Sequence, residues 1–545
     1  MLRSARILVL STVIVSSSIG LTSGCHSTQT TNSPATAASA TRSDREEFDV
    51  EDAAIVDLQN AIDEGRLTSE DLTATYLERI ETLDPQLGAV VTVNPDAIDI
   101  ARSRDQSRRD HGPLSPLDGI PVLLKDNMDT ADNQPTTAGS TALLNSRPSD
   151  DAFLVDQLRK AGAVILGKTN MSEWANFRSP MAIAGWSATG GQTHNPYVLD
   201  RSPCGSSSGS AVAAAASLAA VTIGTDTDGS IACPASVTST VGIKPSLGLV
   251  SRSGVVPITS RHDSPGPMGR SVEDAALALS VIYGSDPSDP DSADVAGSLP
   301  ADFQNMLDPN SLSGKRIGIW REGRAGIDPD VDRTFDAAVE QLQDLGATAV
   351  EVNITTDADV VSQHLLPAVL TEFKHDINQY LANTPGEHPG DLTGLIEYNR
   401  QNAEEELTGF GQELFEMADQ TDGNLSDPTY RAHREAATGR AQTAIDDALV
   451  DNNLDAIVTP TELPAPGIDY RGGGEGPQFA SSTRTSALAG YPMVTVPSGY
   501  AREELPLGLS FLGTRLDDAK LISFAYAYEH AAQIRKSPSY LPTLP

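Results

Sequence analysis

Two serines and a lysine stand in segments whose residue types suit nucleophilic catalysis. The segments are GIPVLLKDN around Lys125, SPCGSSSGS around Ser206 and GTDTDGSI around Ser230. A serine hydroxyl is a weak nucleophile until a neighbouring base takes its proton. A lysine amine can serve as that base once it is neutral, so the three segments together indicate covalent catalysis by a serine.

The Ser-rich segment allows other interpretations when it is taken alone. Gly205–Gly209 matches G-x-S-x-G, which would make Ser207 the nucleophile of an α/β-hydrolase, but that motif requires an apolar strand directly before the turn. His194–Pro203 precedes it instead and contains two prolines. A phosphate loop is excluded because no Gly-Lys-Ser/Thr closes the run. A buried small-residue helix over Gly209–Ala220, with a polar N-terminus, stays open at this point.

Further segments favour the catalytic interpretation. They are KTNMSEWAN at Lys168–Asn176, GGQT at Gly190–Thr193 and VGIKPS at Val241–Ser246. Together with the first three segments they resemble the amidase signature family in order and spacing, from about Ile55 to Tyr528. Within that family the similarity is to bacterial peptide amidases, through SEWANFR at Ser172–Arg178 and SPCGSSSGSAV from Ser202 onward.

The resemblance implies a hydrolase of carboxamide C–N bonds that forms an acyl-enzyme through a Ser-Ser-Lys triad and needs no cofactor. Ser230 is then the nucleophile, Ser206 the serine that relays its proton, and Lys125 the base. The resemblance also implies a cis peptide bond between Gly205 and Ser206. The backbone N–H groups expected to form the oxyanion hole belong to Thr227, Asp228, Gly229 and Ser230.

Lys125 can act as a base only if its surroundings lower its pKa. The ordinary lysine pKa of about 10.4 leaves the amine protonated near neutral pH, and burial disfavours the charged form. The apolar run Ile120–Leu124 directly before Lys125 predicts a buried strand that ends at the base. A salt bridge between Lys125 and Asp126 is the competing structural role.

Departures from the family pattern bear on the substrate. Several relatives carry an arginine, two or three places after the nucleophile, that binds a substrate carboxylate; here those places hold Ala232 and Cys233. The substrate suggested by the resemblance is therefore a neutral carboxamide at the C-terminus of a peptide, rather than free glutamine or malonamate. Candidate substrate contacts are Asp226, Asp228, Ser207 and Asn176. Hydrogen bonds within the turn are the favoured role of the two aspartates.

Other functions share parts of this pattern. A broad fatty or aryl amide hydrolase would use the same triad. The amidase-type component of an aminoacyl-tRNA amidotransferase shares the family signature, but the export signal described below, the missing arginine and the acidic composition argue against it. A non-catalytic amide-binding lipoprotein is disfavoured because the triad is intact.

Metal chemistry is not expected from this sequence. No H-E-x-x-H occurs, and the nine histidines do not pair at ligand spacing. Cys204 and Cys233 each lie within three residues of a catalytic serine, so they can approach each other. An exported location permits a disulfide between them, but a pair of buried free thiols is the favoured interpretation.

The charge of the chain is strongly negative. The formal net charge is −36, and only eight of the 38 basic residues are lysines. The many negative charges on such a surface repel one another. Salt weakens this repulsion, because at 1 M the Debye screening length is only about 3 Å. The composition therefore predicts adaptation to high salt. It argues against nucleic acid as a partner, because phosphate binding rewards clustered Lys and Arg.

The N-terminus predicts a targeting segment. Arg3 and Arg6 precede the apolar stretch Ile7–Ile19, which is short for a membrane span and is followed by LTSGC ending at Cys25. Residues 1–25 are predicted to be a lipoprotein-type signal peptide with Cys25 as the lipidated residue. Plain secretion, or a cytoplasmic protein whose start is apolar by chance, is the alternative. Residues 26–48 are expected to be a flexible tether, and residues 49–545 are expected to form a single domain. The protein is expected to be a monomer.

Alternating elements must position the chemical segments. Helices are predicted for Glu51–Leu83, with a break at Gly65 and a restart after Thr68, and for Phe153–Ala161 and Asp517–Ala532. Predicted strands are Gly119–Leu124, Ala163–Gly167, Ala219–Gly224, Arg316–Ile319, Ala347–Val352, Ala456–Val458, Met493–Val496 and Leu507–Leu512. Such alternation predicts an α/β fold in which helices cover both faces of a mixed central sheet.

Overall fold

The computed structural model describes residues 48–295, 297–300, 302–321, 325–354, 358–470 and 482–544. Residues 48–545 form one compact unit. The predicted signal peptide, its Cys25 and nearly all of the predicted tether lie outside the described residues. In the described part of the chain, no helix is both long and apolar enough to span a membrane.

An 11-stranded sheet forms the centre of the unit, in the order β1-β3-β2-β6-β8-β7-β12-β13-β11-β9-β10. Strands β2, β3 and β6 run parallel at one end and β9, β10 and β11 at the other, whereas the neighbours between them are antiparallel. The strands β1 to β13 are Val90–Val93, Pro121–Lys125, Val164–Thr169, Trp186–Ser187, Gly191–Gln192, Val221–Asp226, Val241–Lys244, Ser264–Gly269, Arg316–Trp320, Thr348–Val352, Ala456–Pro460, Met493–Ala501 and Leu505–Leu512. Strands β4 and β5 pair separately.

Helices occupy the segments between the strands. In the described residues, α1 to α16 are Ile55–Asp63, Ser69–Leu87, Ala97–His111, Phe153–Lys160, Ser208–Ala215, Ala232–Val237, Val272–Ile282, Pro290–Val295, Pro329–Asp344, Ala358–Asn383, Leu392–Gln401, Ala403–Glu406, Glu413–Asp419, Pro428–Asp451, Ser482–Ala489 and Asp518–Ala532. Every residue of β2, β3, β6, β8 and β13 is buried. Burial of both strand faces requires cover on both sides of the sheet, and the predicted mixed α/β fold is confirmed.

The first two helices show why the predicted break was correct. Helix α1 ends before Gly65, which has a φ of 71° that disfavours other residues. Helix α2 begins after Thr68, whose hydroxyl accepts the N–H of Asp71. A threonine at this position satisfies one of the backbone donors that a helix start leaves unpaired.

Two elements near the site differ from their predictions. The small-residue helix expected over Gly209–Ala220 is the shorter α5, because the chain turns at Ser217, whose φ is 51°. Strand β8 was not predicted at all. Its sequence, SPGPMG, is typical of a turn because proline removes a ladder hydrogen bond, yet Pro265 and Pro267 lie opposite Thr225 and Ile223 of β6.

Candidate active site

Strands β2 and β6 bring the predicted base to the relay serine. Lys125 is the last residue of β2, and its Nζ lies 2.7 Å from Ser206 Oγ and 2.8 Å from Thr225 Oγ1. Lys125 and Ser206 have no solvent-exposed surface. Burial lowers the pKa of Lys125 to about 7, against the opposing effect of Asp226 and Asp263. The lysine is therefore able to change protonation state near neutral pH, as the predicted base must.

Ser206 is held in a rigid loop that leads into α5. The peptide bond between Gly205 and Ser206 is cis, as the family resemblance implied. A Cβ atom at Gly205 would lie 2.2 Å from Ser172 Oγ, so no larger residue fits there. On the other side, Ser207 Oγ donates to the Thr225 carbonyl and accepts the Thr225 N–H, at 2.9 and 3.1 Å. These contacts fix the loop against β6.

The turn after β6 presents backbone N–H groups beside Ser230. The Asp226 carboxylate accepts the N–H groups of Gly229, Ile231 and Ala232, at 2.9, 2.7 and 3.4 Å. Gly229 was predicted to contribute to the oxyanion hole, and this is corrected because its N–H is already bonded to Asp226. The N–H groups of Thr227, Asp228 and Ser230 bond to no acceptor in the described part of the chain.

Ser230 lies at the wall of a cavity of about 510 Å³ and is 8% exposed. Polar and apolar groups both line the cavity. The polar groups include the turn from Thr227 to Ser230, and the apolar side chains are Phe177, Ile258, Leu365, Leu366, Val369 and Leu414. The hydroxyls of Ser206 and Ser230 make no hydrogen bond with each other, so the structure joins Lys125 to Ser206 but leaves the relay to Ser230 open.

The candidate substrate contacts separate into two groups. Asn176 and Asp228 line the cavity. Asn176 belongs to a left-handed turn in which Trp174, Ala175 and Asn176 have φ values of 47°, 53° and 69°. Asp226 and Ser207 are corrected as candidate substrate contacts, because both are fully buried and their polar atoms hold the turn and strand β6. Hydrogen bonds within the turn, the favoured role of Asp226, are the ones found.

Cys204 and Cys233 form a disulfide with a Cα–Cα distance of 6.0 Å, so the favoured interpretation as free thiols was wrong. That spacing lies within the usual range for a disulfide. The physical reason is the convergence of the Ser206 loop and the start of α6 at the cavity wall, where both cysteines lie. The bond therefore links the segments that carry the two predicted catalytic serines.

Sequence reasoning missed several residues that shape the site. Thr225 Oγ1 holds Lys125, and His262 and Asp263 both bond to Thr227. Arg484 lines the cavity and donates to Asp228 at 2.8 Å. No local pattern marks these residues, since strand pairing and a distant helix bring them in; only the position of Thr225 inside GTDTDGSI was a usable signal. No cluster of three or more potential metal ligands occurs among the described residues.

Ser230 lies beside backbone N–H groups that bond to no acceptor in the described part of the chain, and Ser206 contacts a buried lysine of lowered pKa. These features suit a serine hydrolase that acts on amides. Comparison with known proteins agrees. The sequence model of the family Amidase matches residues 71–522, and the chain belongs to this amidase signature family. The predicted family and enzyme class are confirmed.

Individual relatives extend over nearly the whole chain. A probable amidase of Arabidopsis thaliana is 40% identical over 500 residues, which cover 91% of this chain and 93% of the relative. The X-ray structure of a peptide amidase from Stenotrophomonas maltophilia matches with a TM-score of 0.84 and 45% identity, over 90% of this chain and 99% of that one. One component of the glutamyl-tRNA(Gln) amidotransferase of Symbiobacterium thermophilum is 36% identical over 476 residues, covering 85% of this chain and 94% of that component.

Proposed function

We propose that this amidase removes ammonia from peptides whose C-terminus is a carboxamide. The observation that carries the proposal is the position of Ser230, 8% exposed in a cavity of about 510 Å³ beside three unshared backbone N–H groups. Ammonia is a small leaving group for a site of this size, so we expect a terminal carboxamide rather than an internal peptide bond as the substrate. Similarity to a peptide amidase at 45% identity supports the same substrate.

The electrostatics of the cavity favour a neutral group over a free carboxylate. Among the described lining residues the basic side chains are His262 and Arg484, and Arg484 is paired with Asp228. Burial lowers the pKa of His262 to about 3, so the imidazole is neutral. A C-terminal carboxylate would therefore lie near the negative charge of Asp228. Neither His262, which is neutral, nor Arg484, which is paired, would offset that repulsion.

The catalytic roles follow from protonation states. Neutral Lys125 has two N–H bonds and one lone pair; Thr225 accepts from the amine at 2.8 Å, which leaves the lone pair for the Ser206 hydroxyl at 2.7 Å. Ser206 can then accept the proton of Ser230 as Ser230 Oγ attacks the amide carbon. The N–H groups of Thr227, Asp228 and Ser230 would hold the oxyanion.

The second half of the reaction reverses the proton path. Ser206 returns the proton to the departing nitrogen, which leaves as ammonia and gives an acyl-enzyme on Ser230. Water then attacks the ester and passes a proton through Ser206 to Lys125. The same path returns that proton to Ser230 Oγ as the carboxylic acid leaves. The two serine hydroxyls must come within hydrogen-bond reach when the amide binds, since catalytic contacts commonly tighten in the substrate complex.

A matched substrate panel tests this proposal. The panel contains one N-acetyl peptide as its C-terminal amide, N-methylamide and anilide, together with a long-chain fatty amide. We expect ammonia from the peptide amide, detected enzymatically, with mass spectrometry showing replacement of NH2 by OH and no shortened fragments. Ser230→Ala is the control and should release none. Preference for the fatty amide or the anilide, or internal cleavage, would reject peptide amides as the substrate class.

The amidotransferase relatives provide the second candidate function. Similarity at 36% identity over 85% of this chain favours it, and glutamine-dependent ammonia transfer would be its activity. Ala232 and Cys233 stand at the places where several relatives carry an anion-binding arginine, which disfavours free glutamine. Free glutamine is therefore assayed beside the panel, and ammonia release from it above that from the peptide amide would support this second function instead.

We also propose that the protein is exported and anchored by a lipid on Cys25. The Cys204–Cys233 disulfide supports export, because disulfides persist in oxidising compartments. Fractionation of cells expressing the full chain should place the enzyme with membranes, and Cys25→Ser should release it in active form. Equal fractionation of both proteins would contradict lipid anchoring and leave plain secretion.

A further inference from the structure

The side chain of His262 makes a single hydrogen bond among the described residues. Its partner lies in the turn from Thr227 to Ser230, which is proposed to hold the oxyanion. Its Nδ1 lies 2.7 Å from the Thr227 carbonyl oxygen. A carbonyl can only accept a hydrogen bond, so Nδ1 carries the proton and Nε2 carries the lone pair. Nε2 is shielded from solvent and has no partner in the described part of the chain. The side chain, 3% exposed, therefore acts through Nδ1.

The carbonyl that His262 contacts belongs to the peptide group that contains the Asp228 nitrogen. The N–H of Asp228 is one of the three backbone N–H groups in this turn that donate to no acceptor in the described part of the chain. A hydrogen bond at the oxygen end of a peptide group fixes the orientation of its plane and polarises its N–H end. The imidazole thus controls where the Asp228 N–H points and how strongly it donates.

The residue after His262 secures the same turn from the side. Thr227 Oγ1 donates to Asp263 Oδ1 at 2.7 Å, and Asp263 Oδ2 accepts the N–H groups of Ile258 and Thr259, both at 2.9 Å. His262 and Asp263 therefore hold Thr227 by its carbonyl and by its side chain. Neither contact involves an exposed residue that the substrate could displace.

The loop that carries His262 is itself anchored to helices α10 and α14. Thr259 Oγ1 donates to Glu372 at 2.6 Å, and Ser260 N–H donates to Asp376 at 2.7 Å. Glu372, on α10, also accepts from Tyr430 and Arg434 of α14, each at 2.7 Å. The position of the imidazole is thus set by the helical wall of the cavity rather than by the turn alone.

We propose that His262 is a positioning residue of the oxyanion hole, which aims and polarises the Asp228 N–H toward the developing negative charge. The proposal rests on the function proposed above. A direct role as general base is not part of it, because Nε2 is shielded and Nδ1 is bonded to a carbonyl. Burial holds the imidazole neutral, with a pKa of about 3, so its hydrogen bond persists throughout the neutral pH range.

Two variants of the same shape test the proposal. In His262→Asn the side-chain NH2 stands at the position of Nδ1 and can still donate, whereas His262→Leu has no donor. Deleting an oxyanion donor outright costs about 10²–10³ in kcat. In His262→Leu the Asp228 N–H is still present, but its orientation is no longer fixed by the imidazole. We therefore expect kcat to fall about 10- to 100-fold in His262→Leu with KM changed less than about threefold, and His262→Asn to recover most of it.

A pair of inhibitors gives a readout that a merely structural role would not move. A peptide aldehyde adds to Ser230 and forms the oxyanion, whereas the corresponding peptide alcohol binds without it. His262→Leu should weaken aldehyde binding by about the same factor as kcat and leave alcohol binding unchanged. Should His262→Leu not fold, as judged by thermal denaturation, His262→Phe keeps the ring volume without a donor and is measured instead.

Equal kcat in the Asn variant and in the donor-free variant, or equal loss of aldehyde and alcohol affinity, would overturn the proposal. Kinetics are measured on whichever amide the wild-type enzyme hydrolyses best, and if that is not a peptide amide the aldehyde and alcohol carry its acyl group instead. Failure of peptide amides as substrates would therefore reject the proposed function while the role of His262 is still decided.

Discussion

Replacing Lys125 with methionine should lower the activity and, below about pH 9, raise the free energy of unfolding. Methionine fills similar volume without a charge or a proton, so Lys125→Met removes the proposed base and should lower kcat by about 10²–10⁴. In the wild type, kcat/KM should rise with pH up to about 7 and then level, because only the neutral amine accepts a proton and its pKa is about 7. The variant should lack this inflection.

The gain in stability follows from the pKa of the buried amine. The unfolded pKa is 10.5 and the folded one about 7; at about 1.4 kcal/mol per pH unit this difference corresponds to about 5 kcal/mol. Between these values the unfolded chain binds a proton that the native state does not. The free energy of unfolding therefore rises with pH across this window, and the full cost of burying Lys125 is present below pH 7.

Methionine removes that cost but also the hydrogen bonds of Nζ to Ser206 and Thr225. Each bond contributes about 1 kcal/mol. Lys125→Met should therefore be more stable than wild type by about 3 kcal/mol at pH 6, equal to it near about pH 9, and less stable at higher pH. Denaturant unfolding of both proteins at matched pH values measures this difference directly.

Lys160→Met is the matched control. Lys160 pairs with Asp156 on the surface, and its side chain is 67% exposed, so the substitution should change neither the pH profile nor its inflection. An inflection near pH 7 that survives in Lys125→Met would mean that another group is the base. A stability difference between wild type and Lys125→Met that does not vary with pH would refute the lowered pKa.

Three further outcomes are expected. Ser206→Ala should lower kcat by about 10²–10⁴, whereas Ser207→Ala, which loses only contacts to β6, should mainly lower the melting temperature; equal kcat losses would contradict the distinction. Replacing Cys204 and Cys233 together by serine opens a link across 29 positions and should lower stability by about 3–4 kcal/mol, measured by unfolding with and without reductant; identical curves for both proteins would show that no disulfide forms. The net charge of −36 predicts a melting temperature that rises from about 0.1 to about 2 M salt, and a flat or falling value would contradict adaptation to salt.

Elements with a strong local pattern were predictable from the sequence. The apolar run before Lys125 identified β2, and the Gly65–Thr68 break separated α1 from α2. Strand β8 escaped prediction because its prolines are tolerated only through the particular register against β6. Local preference and tertiary context disagree in that segment, and tertiary context decided the structure.

Some residues of the site were predictable from sequence motifs, whereas contacts made by the tertiary structure were not. Lys125, Ser206 and Ser230 stand in motifs that the family resemblance covers, and the structure places Lys125 against Ser206. Hydrogen bonds within the turn were the favoured role of Asp226, but its bond to the Gly229 N–H, which removes that donor from the oxyanion hole, left no signal in the sequence. Contacts such as His262 to Thr227 depend on a loop brought in by strand pairing, so they leave no periodic signal in the sequence.

The Cys204–Cys233 bond ties completion of the active site to the place where the chain folds. A reducing cytoplasm keeps thiols unpaired, so a copy that folds there acquires its cavity wall without the covalent link. The two cysteines stand 29 positions apart, one in the Ser206 loop and the other in α6. Recombinant enzyme should therefore be produced in an oxidising compartment to obtain a homogeneous preparation, as the proposed export would provide.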